Sequence, residues 1–137
     1  MSYDDQNIFA RILRGELPAI KVYEDEQVLA FMDIMPQAEG HTLVIPKSPA
    51  VTLLDLAPEA AAYTIQIVQK IAKAMETVLD AKGIVLMQLS GVAAGQTVPH
   101  VHFHLIPSSI HELGRHAAQM GDQEKIAAIA DKMKAVL

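Results

Sequence analysis

Residues 99–107 read PHVHFHLIP, and few patterns restrict a chain as tightly. Side chains alternate between the faces of an extended strand, so His100, His102 and His104 share one face while Val101, Phe103 and Leu105 share the other. One face belongs in a core, and the other carries three imidazoles. These three are half of the six histidines in the chain, and histidine is not a residue that strands favour. A solvated strand face that happens to be rich in histidine is therefore the weaker reading.

The remaining elements follow from hydrophobic spacing. Ile8, Phe9, Ile12 and Leu13 fall at helical intervals between Asp4/Asp5 and Gly15, which predicts a short helix of two turns. Residues 20–25, 27–34 and 41–46 read as strands, the first two close enough for an antiparallel hairpin. Pro58 suits the first turn of a helix, and Ala61, Ile65, Val68, Ala72, Met75 and Leu79 then recur by fours and threes, predicting one long helix to about Asp80. Residues 83–90 and 101–107 supply a fourth and a fifth strand, separated by the glycine-rich Gly91–Gly95. Ile126, Ile129, Ala130, Met133 and Val136 predict a final amphipathic helix from about Asp122, whose apolar face requires a partner. Strands on short connections, with one long helix between the third and the fourth, define an α+β fold: an antiparallel sheet with helices to one side.

Composition narrows the function classes. With 137 residues and 51% hydrophobic content, the chain suits one domain spanning 1–137, with no internal repeat, linker or low-complexity tract. Sixteen acidic against eleven basic residues leave a net charge of -5, which repels polyanions and argues against a nucleic acid polymer as partner. A small anion is still admissible, because backbone N–H groups make local positive sites on acidic proteins. The absence of cysteine excludes disulfides and thiolate metal sites and suits a reducing compartment. The acidic, polar start at Met1–Gln6 has no basic segment followed by an apolar run, and apolar stretches fall short of the roughly 20 residues of a membrane span. A cytoplasmic protein without a membrane partner is the expectation.

Two chemistries compete for the imidazole row. Histidines two apart on a strand can share a zinc ion, yet at a strand rise near 3.4 Å the Cα atoms of His100 and His104 stand roughly 13 Å apart. A regular strand then supplies only two ligands, and spacing nominates no partner among His41, His111, His116 and the carboxylates. The alternative is nucleophilic and acid–base catalysis, to which imidazole is suited because it is neutral nucleophile, donor or acid near neutral pH. Upstream, Gly91, Gly95, Gln96 and Thr97 offer backbone N–H groups, an amide and a hydroxyl that suit phosphate.

The stretch AGQTVPHVHFHLIP at 94–107 resembles the signature of the histidine triad (HIT) superfamily. IFARILRGELP at 8–18, VLAFMDI at 28–34 with Pro36, Gln37 and Ala38, and HTLVIPK at 41–47 each resemble their counterparts in its Hint-like branch. The resemblance covers about residues 7–107, the HIT core, and leaves 108–137 as a C-terminal extension that includes the unassigned His111 and His116. It implies a five-stranded antiparallel sheet with one long helix and short terminal helices, paired as a two-fold homodimer. It also implies purine nucleotide binding, with hydrolysis of phosphoramidate-type bonds at the α-phosphorus and no cofactor. By position His102 would be the nucleophile that forms a nucleotidyl-histidine intermediate, and His100 would orient it. His104, with Gln96 and Thr97, would face phosphate oxygens and the leaving group. Asp33 would accept the ribose hydroxyls, Phe31, Met32 and Ile34 would flank the base, and His41 matches a fourth histidine near the site.

Two positions depart from the family pattern. Where relatives carry an asparagine eleven residues before the first triad histidine, this chain has Leu89, flanked by the polar Gln88 and Ser90, with Ser90 one residue from the expected place. Where some bacterial relatives carry a Cys-x-x-Cys zinc clip, Asn7 and Ala10 stand instead, so no metal is expected. The leading reading is a purine nucleotide phosphoramidase. A nucleotide-binding scaffold with incidental turnover is the alternative that the missing asparagine motivates.

Overall fold

The computed structural model describes residues 2–113 and 120–137; His116 lies outside them. Five strands form one antiparallel sheet: β1 (Lys21–Glu24), β2 (Val28–Met32), β3 (Thr42–Pro46), β4 (Val85–Met87) and β5 (Phe103–Ile106). Their spatial order is β1-β2-β3-β5-β4, so the first three make the expected meander while β5 inserts between β3 and β4. The long helix, α2 (Pro58–Leu79), carries the chain from β3 to the far edge, and β5 returns to fill the space between.

Alternation along each strand sorts the sheet into two faces. Val28, Ala30, Met32, Val44, Phe103 and Leu105 point to one side and pack with Ile67, Val68, Ile71 and Met75 of α2. The C-terminal helix α3 (Gln123–Val136) adds Ile126, Ile129, Ala130 and Met133 to the same core, which answers where its apolar face is buried. The opposite face carries Leu29, Phe31, Leu43 and Ile45, covered by Phe9 and Ile12 of the short helix α1 (Ile8–Leu13). His104 pairs with Leu43 across the ladder and therefore faces this smaller cluster. The imidazoles stand on the α1 side, with the two long helices behind the sheet.

Two strands are shorter than their apolar runs. β4 is three residues instead of the run 83–90, and β5 begins only at Phe103, so His100 and His102 precede the regular ladder. That segment is held by tertiary contacts, including a bond from the Val101 N–H to the Ala50 carbonyl at 2.8 Å.

Candidate active site

His100 is fully buried. Its Nε2 lies 2.8 Å from the Pro46 carbonyl, which can only accept, so Nε2 carries the proton. The other nitrogen, Nδ1, lies 2.5 Å from the hydroxyl of Tyr3. His102, 5% exposed, places Nδ1 2.6 Å from the His100 carbonyl and so donates from Nδ1. In the neutral ring the lone pair is then on Nε2, the form a nucleophile needs. Burial pushes the His102 pKa below 6.5, only partly opposed by that hydrogen bond, so the ring is neutral at pH 7. The edge of the Phe9 ring contacts it, with centroids 4.9 Å apart.

The next imidazole has the opposite polarity. The backbone N–H of Gln37 donates to His41 Nδ1 at 3.1 Å, and a main-chain amide cannot reverse its role. His41 therefore carries its proton on Nε2, which lies 2.9 Å from Nδ1 of His104 and 3.5 Å from an Asp33 oxygen. His104 must accept at Nδ1 and present N–H at Nε2. Its ring stands 4.9 Å from that of His102. The site thus pairs a basic nitrogen on His102 with a donor on His104. Burial, with a smaller contribution from His102, pushes His41 down from 6.5 to about 4, which keeps it neutral.

Gly40 makes the close turn before His41. Its φ is +94°, a backbone conformation that favours glycine, and a Cβ there would also meet Cδ1 of Leu79, the movable end of that side chain.

Asp33, His41 and His104 bring donor atoms within 4.8 Å of one another, a spacing a metal ion accepts. The hydrogen-bond directions oppose an ion there. Ligation through His41 Nε2 would move its proton to Nδ1, facing the Gln37 N–H donor to donor. A thiolate zinc clip fits no better: Asn7 caps α1 by accepting from the Ala10 N–H at 2.9 Å, and Ala10 is buried in the helix.

The remaining nominated residues divide. Phe31 is buried on the imidazole face, edge-on to Phe9 at 5.3 Å. Asp33 follows β2 on that face; one oxygen accepts from the Met35 N–H at 2.8 Å and the other faces His41. Ile34 is 42% exposed. Met32 corrects the expectation that it flanks the base: it is 2% exposed within the core on the helix side, where the Thr42 hydroxyl meets its sulfur. Strand alternation separates it from Phe31 and Asp33.

Gln96 is engaged with the protein's own backbone. Its Oε1 accepts from the Gly91 N–H at 2.8 Å, and its Nε2 donates to the carbonyls of Val51 and Val98 at 2.7 and 3.0 Å. The amide braces the glycine loop, whose N–H groups at Ala94, Gly95 and Gln96 also turn inward onto Gly91 and Val92 carbonyls. Thr97 is exposed beside it. Ser90 donates to Gln88 Oε1 at 3.0 Å, and the Gln88 amide donates to the Leu89 carbonyl. His111 is exposed, beyond the end of β5. Sequence spacing missed Tyr3 and Phe9. Phe9 looked like ordinary helix core, and nothing local links Tyr3 to a residue 97 positions away.

An antiparallel five-stranded sheet with clustered imidazoles on one face and two long helices behind is the architecture of the histidine triad class. Residues 14–111 match the HIT domain, and the chain belongs to that family. A Hit-like protein involved in cell-cycle regulation from Bartonella henselae superposes with a TM-score of 0.91 at 47% identity, over 100% of both chains. A zinc-bound histidine triad family protein from Mycobacterium smegmatis superposes with a TM-score of 0.81 at 36% identity, over 96% of this chain and 92% of that one. The adenosine 5'-monophosphoramidase of Saccharomyces cerevisiae is 38% identical over 133 residues, 95% of this chain and 82% of that protein. Among the described residues no helix is long and apolar enough to cross a membrane.

Proposed function

We propose that this protein hydrolyses purine nucleoside phosphoramidates at the α-phosphorus through a nucleotidyl-histidine intermediate. The observation that carries the proposal is the hydrogen bond from His102 Nδ1 to the His100 carbonyl, which puts the ring's lone pair on Nε2. The similarity to a yeast adenosine 5'-monophosphoramidase supports the same substrate class.

In this reading His102 Nε2 attacks phosphorus, the P–N bond to the amine breaks, and the amine leaves with a proton taken from solvent. Water then adds its oxygen to phosphorus as the histidine–phosphorus bond breaks, returning a proton to solvent, the lone pair to Nε2 and the nucleoside monophosphate to solution. The Nε2–H of His104 stabilises charge on the phosphate or leaving group, and Asp33 takes the ribose hydroxyls. Phe31, Phe9 and Ile34 form the apolar surface for the base, with Thr97 and Ser90 at the phosphate side. Protein incubated with adenosine 5'-phosphoramidate and quenched in alkaline denaturant, which preserves the acid-labile histidine–phosphorus bond, is expected to carry one AMP on the peptide containing His102, detected by mass spectrometry. Steady AMP release with no such adduct at any time point would instead assign the attack to water.

The homodimer belongs to the same reading. β4 is a sheet edge on which Leu86 is 48% exposed, and an open, apolar edge invites pairing with a second copy. Light scattering should return twice the chain mass; a monomer at micromolar concentration would count against it.

A further inference from the structure

The N-terminal arm ahead of α1 reaches the histidine row through one side chain. Tyr3 places its hydroxyl 2.5 Å from His100 Nδ1, and its ring stands edge-on to the imidazole at a centroid distance of 5.6 Å. The direction of the bond is settled by the other end of the ring. His100 Nε2 faces the Pro46 carbonyl, so Nε2 holds the proton and Nδ1 must accept. Tyr3 is therefore the donor. Burial raises the pKa of its phenol, opposed by a smaller contribution from Asn7, so the hydroxyl keeps its proton at neutral pH.

The arm is itself pinned. Asn7 donates from its side chain to the Asp4 carbonyl at 2.8 Å and from its backbone to the same oxygen at 3.2 Å, and Arg14 donates to the Asp5 carbonyl at 2.6 Å. The first imidazole is thus clamped between the arm and the end of β3, and Phe9 leans on both His100 and His102, at 6.4 and 4.9 Å. The same residue, His100, supplies the carbonyl that fixes the tautomer of His102.

We infer that Tyr3 is a positioning residue for the nucleophile: its hydroxyl holds His100 as the Nε2–H tautomer and steadies the carbonyl that sets the proton of His102. Tyr3 contacts His100 and none of the residues assigned to base or ribose, so it governs the chemical step more than nucleotide binding. The kinetic part of the inference rests on the phosphoramidase reading; the hydrogen-bond part does not.

The test compares Tyr3→Phe, which removes only the hydroxyl, with Tyr3→Ala, which also removes the ring, in the full-length protein. Nitrogen-15 NMR of the histidine rings should show His100 Nδ1 as an accepting nitrogen in the wild type. In Tyr3→Phe that resonance should move as its donor is lost, with a smaller movement at His102. With adenosine 5'-phosphoramidate, kcat of Tyr3→Phe should fall about tenfold, as expected for one lost hydrogen bond in a buried network, while KM stays within about twofold. Wild-type kcat in Tyr3→Phe, with loss only in Tyr3→Ala, would reduce the role to ring packing and overturn the inference. Unmoved His100 and His102 resonances in Tyr3→Phe would overturn it as well. If the wild type releases no AMP, the phosphoramidase reading fails by itself, and the ring resonances alone decide the role of Tyr3.

Discussion

Replacing His102 with alanine is expected to lower turnover of adenosine 5'-phosphoramidate by about a thousandfold or more, while AMP affinity changes by less than about threefold. The size of the loss follows from the neighbouring rings, neither of which can take over. His100 has one nitrogen on the Pro46 carbonyl and the other on Tyr3, and it is fully buried. His104 accepts from His41 at Nδ1, so its Nε2 bears a proton and is a donor, not a base. Of the three, His102 is the ring whose hydrogen bond to a carbonyl leaves an Nε2 lone pair on a neutral imidazole next to the His104 donor. AMP binding by calorimetry and AMP release from the phosphoramidate measure the two quantities separately. Equal turnover by wild type and His102→Ala would replace the enzyme by a nucleotide-binding scaffold, the alternative that Leu89 and the Ser90–Gln88 hydrogen bond keep in view.

The second large effect is on stability. His41, His100 and His102 are each buried and each pushed below 6.5, in every case chiefly by loss of solvent. In the unfolded chain these rings take up protons near pH 6.5, whereas the folded protein resists protonation until lower pH. The unfolded state therefore binds more protons between the two values, and stability falls as pH falls. For His41 the window runs from 6.5 down to about 4, which corresponds to a loss of about 3 kcal/mol at 1.36 kcal/mol per pH unit. His100 and His102 add in the same direction. Urea midpoints should be flat above pH 7 and decline steadily between 6.5 and 4.5. His41→Gln should decline less steeply over that range. Carboxylates held low by hydrogen bonds, such as Asp25 at about 2, titrate below this window and do not mimic it. A midpoint unchanged from pH 7 to 4.5 would show that the rings are protonated in the folded protein.

Both predictions depend on what surrounds each imidazole, burial for stability and tautomer for turnover, and those surroundings mark the boundary between what spacing reveals and what it hides. Periodicity is local, because Cβ directions repeat within a few residues, so the amino-acid order alone specified most elements. Pro58 and the threes and fours after it marked α2 as a helix but not its buried face, which is Thr64, Ile67, Val68, Ile71, Ala74 and Met75 with Ile65 exposed. The same spacing marked α3, of whose row Val136 is exposed. The alternation at 100–105 placed imidazoles on one side of the sheet and Phe103 and Leu105 on the other, as found. The same alternation carried a signal against Met32 beside the base, since Phe31 and Asp33 have its opposite parity; only the match to the family outweighed it.

Tertiary structure decided the rest. Whether a run of apolar residues pairs along its whole length depends on its neighbours in the sheet, so β4 stopped at three residues and β5 began after His102. The insertion of β5 between β3 and β4 depends on how α2 crosses the sheet, which no window of sequence contains. Gln96 became a brace for the glycine loop because the carbonyls of Val51 and Val98 and the N–H of Gly91 came within reach of it. The roles of the imidazoles were decided the same way. Three like side chains differ only in what lies at each ring nitrogen, and those partners, Tyr3, Pro46, Gln37 and His41, reach the row from distant parts of the chain. The order of residues determined that imidazoles line one face; the direction of each proton came from the fold, because a hydrogen bond is specified by two positions and sequence spacing records only one.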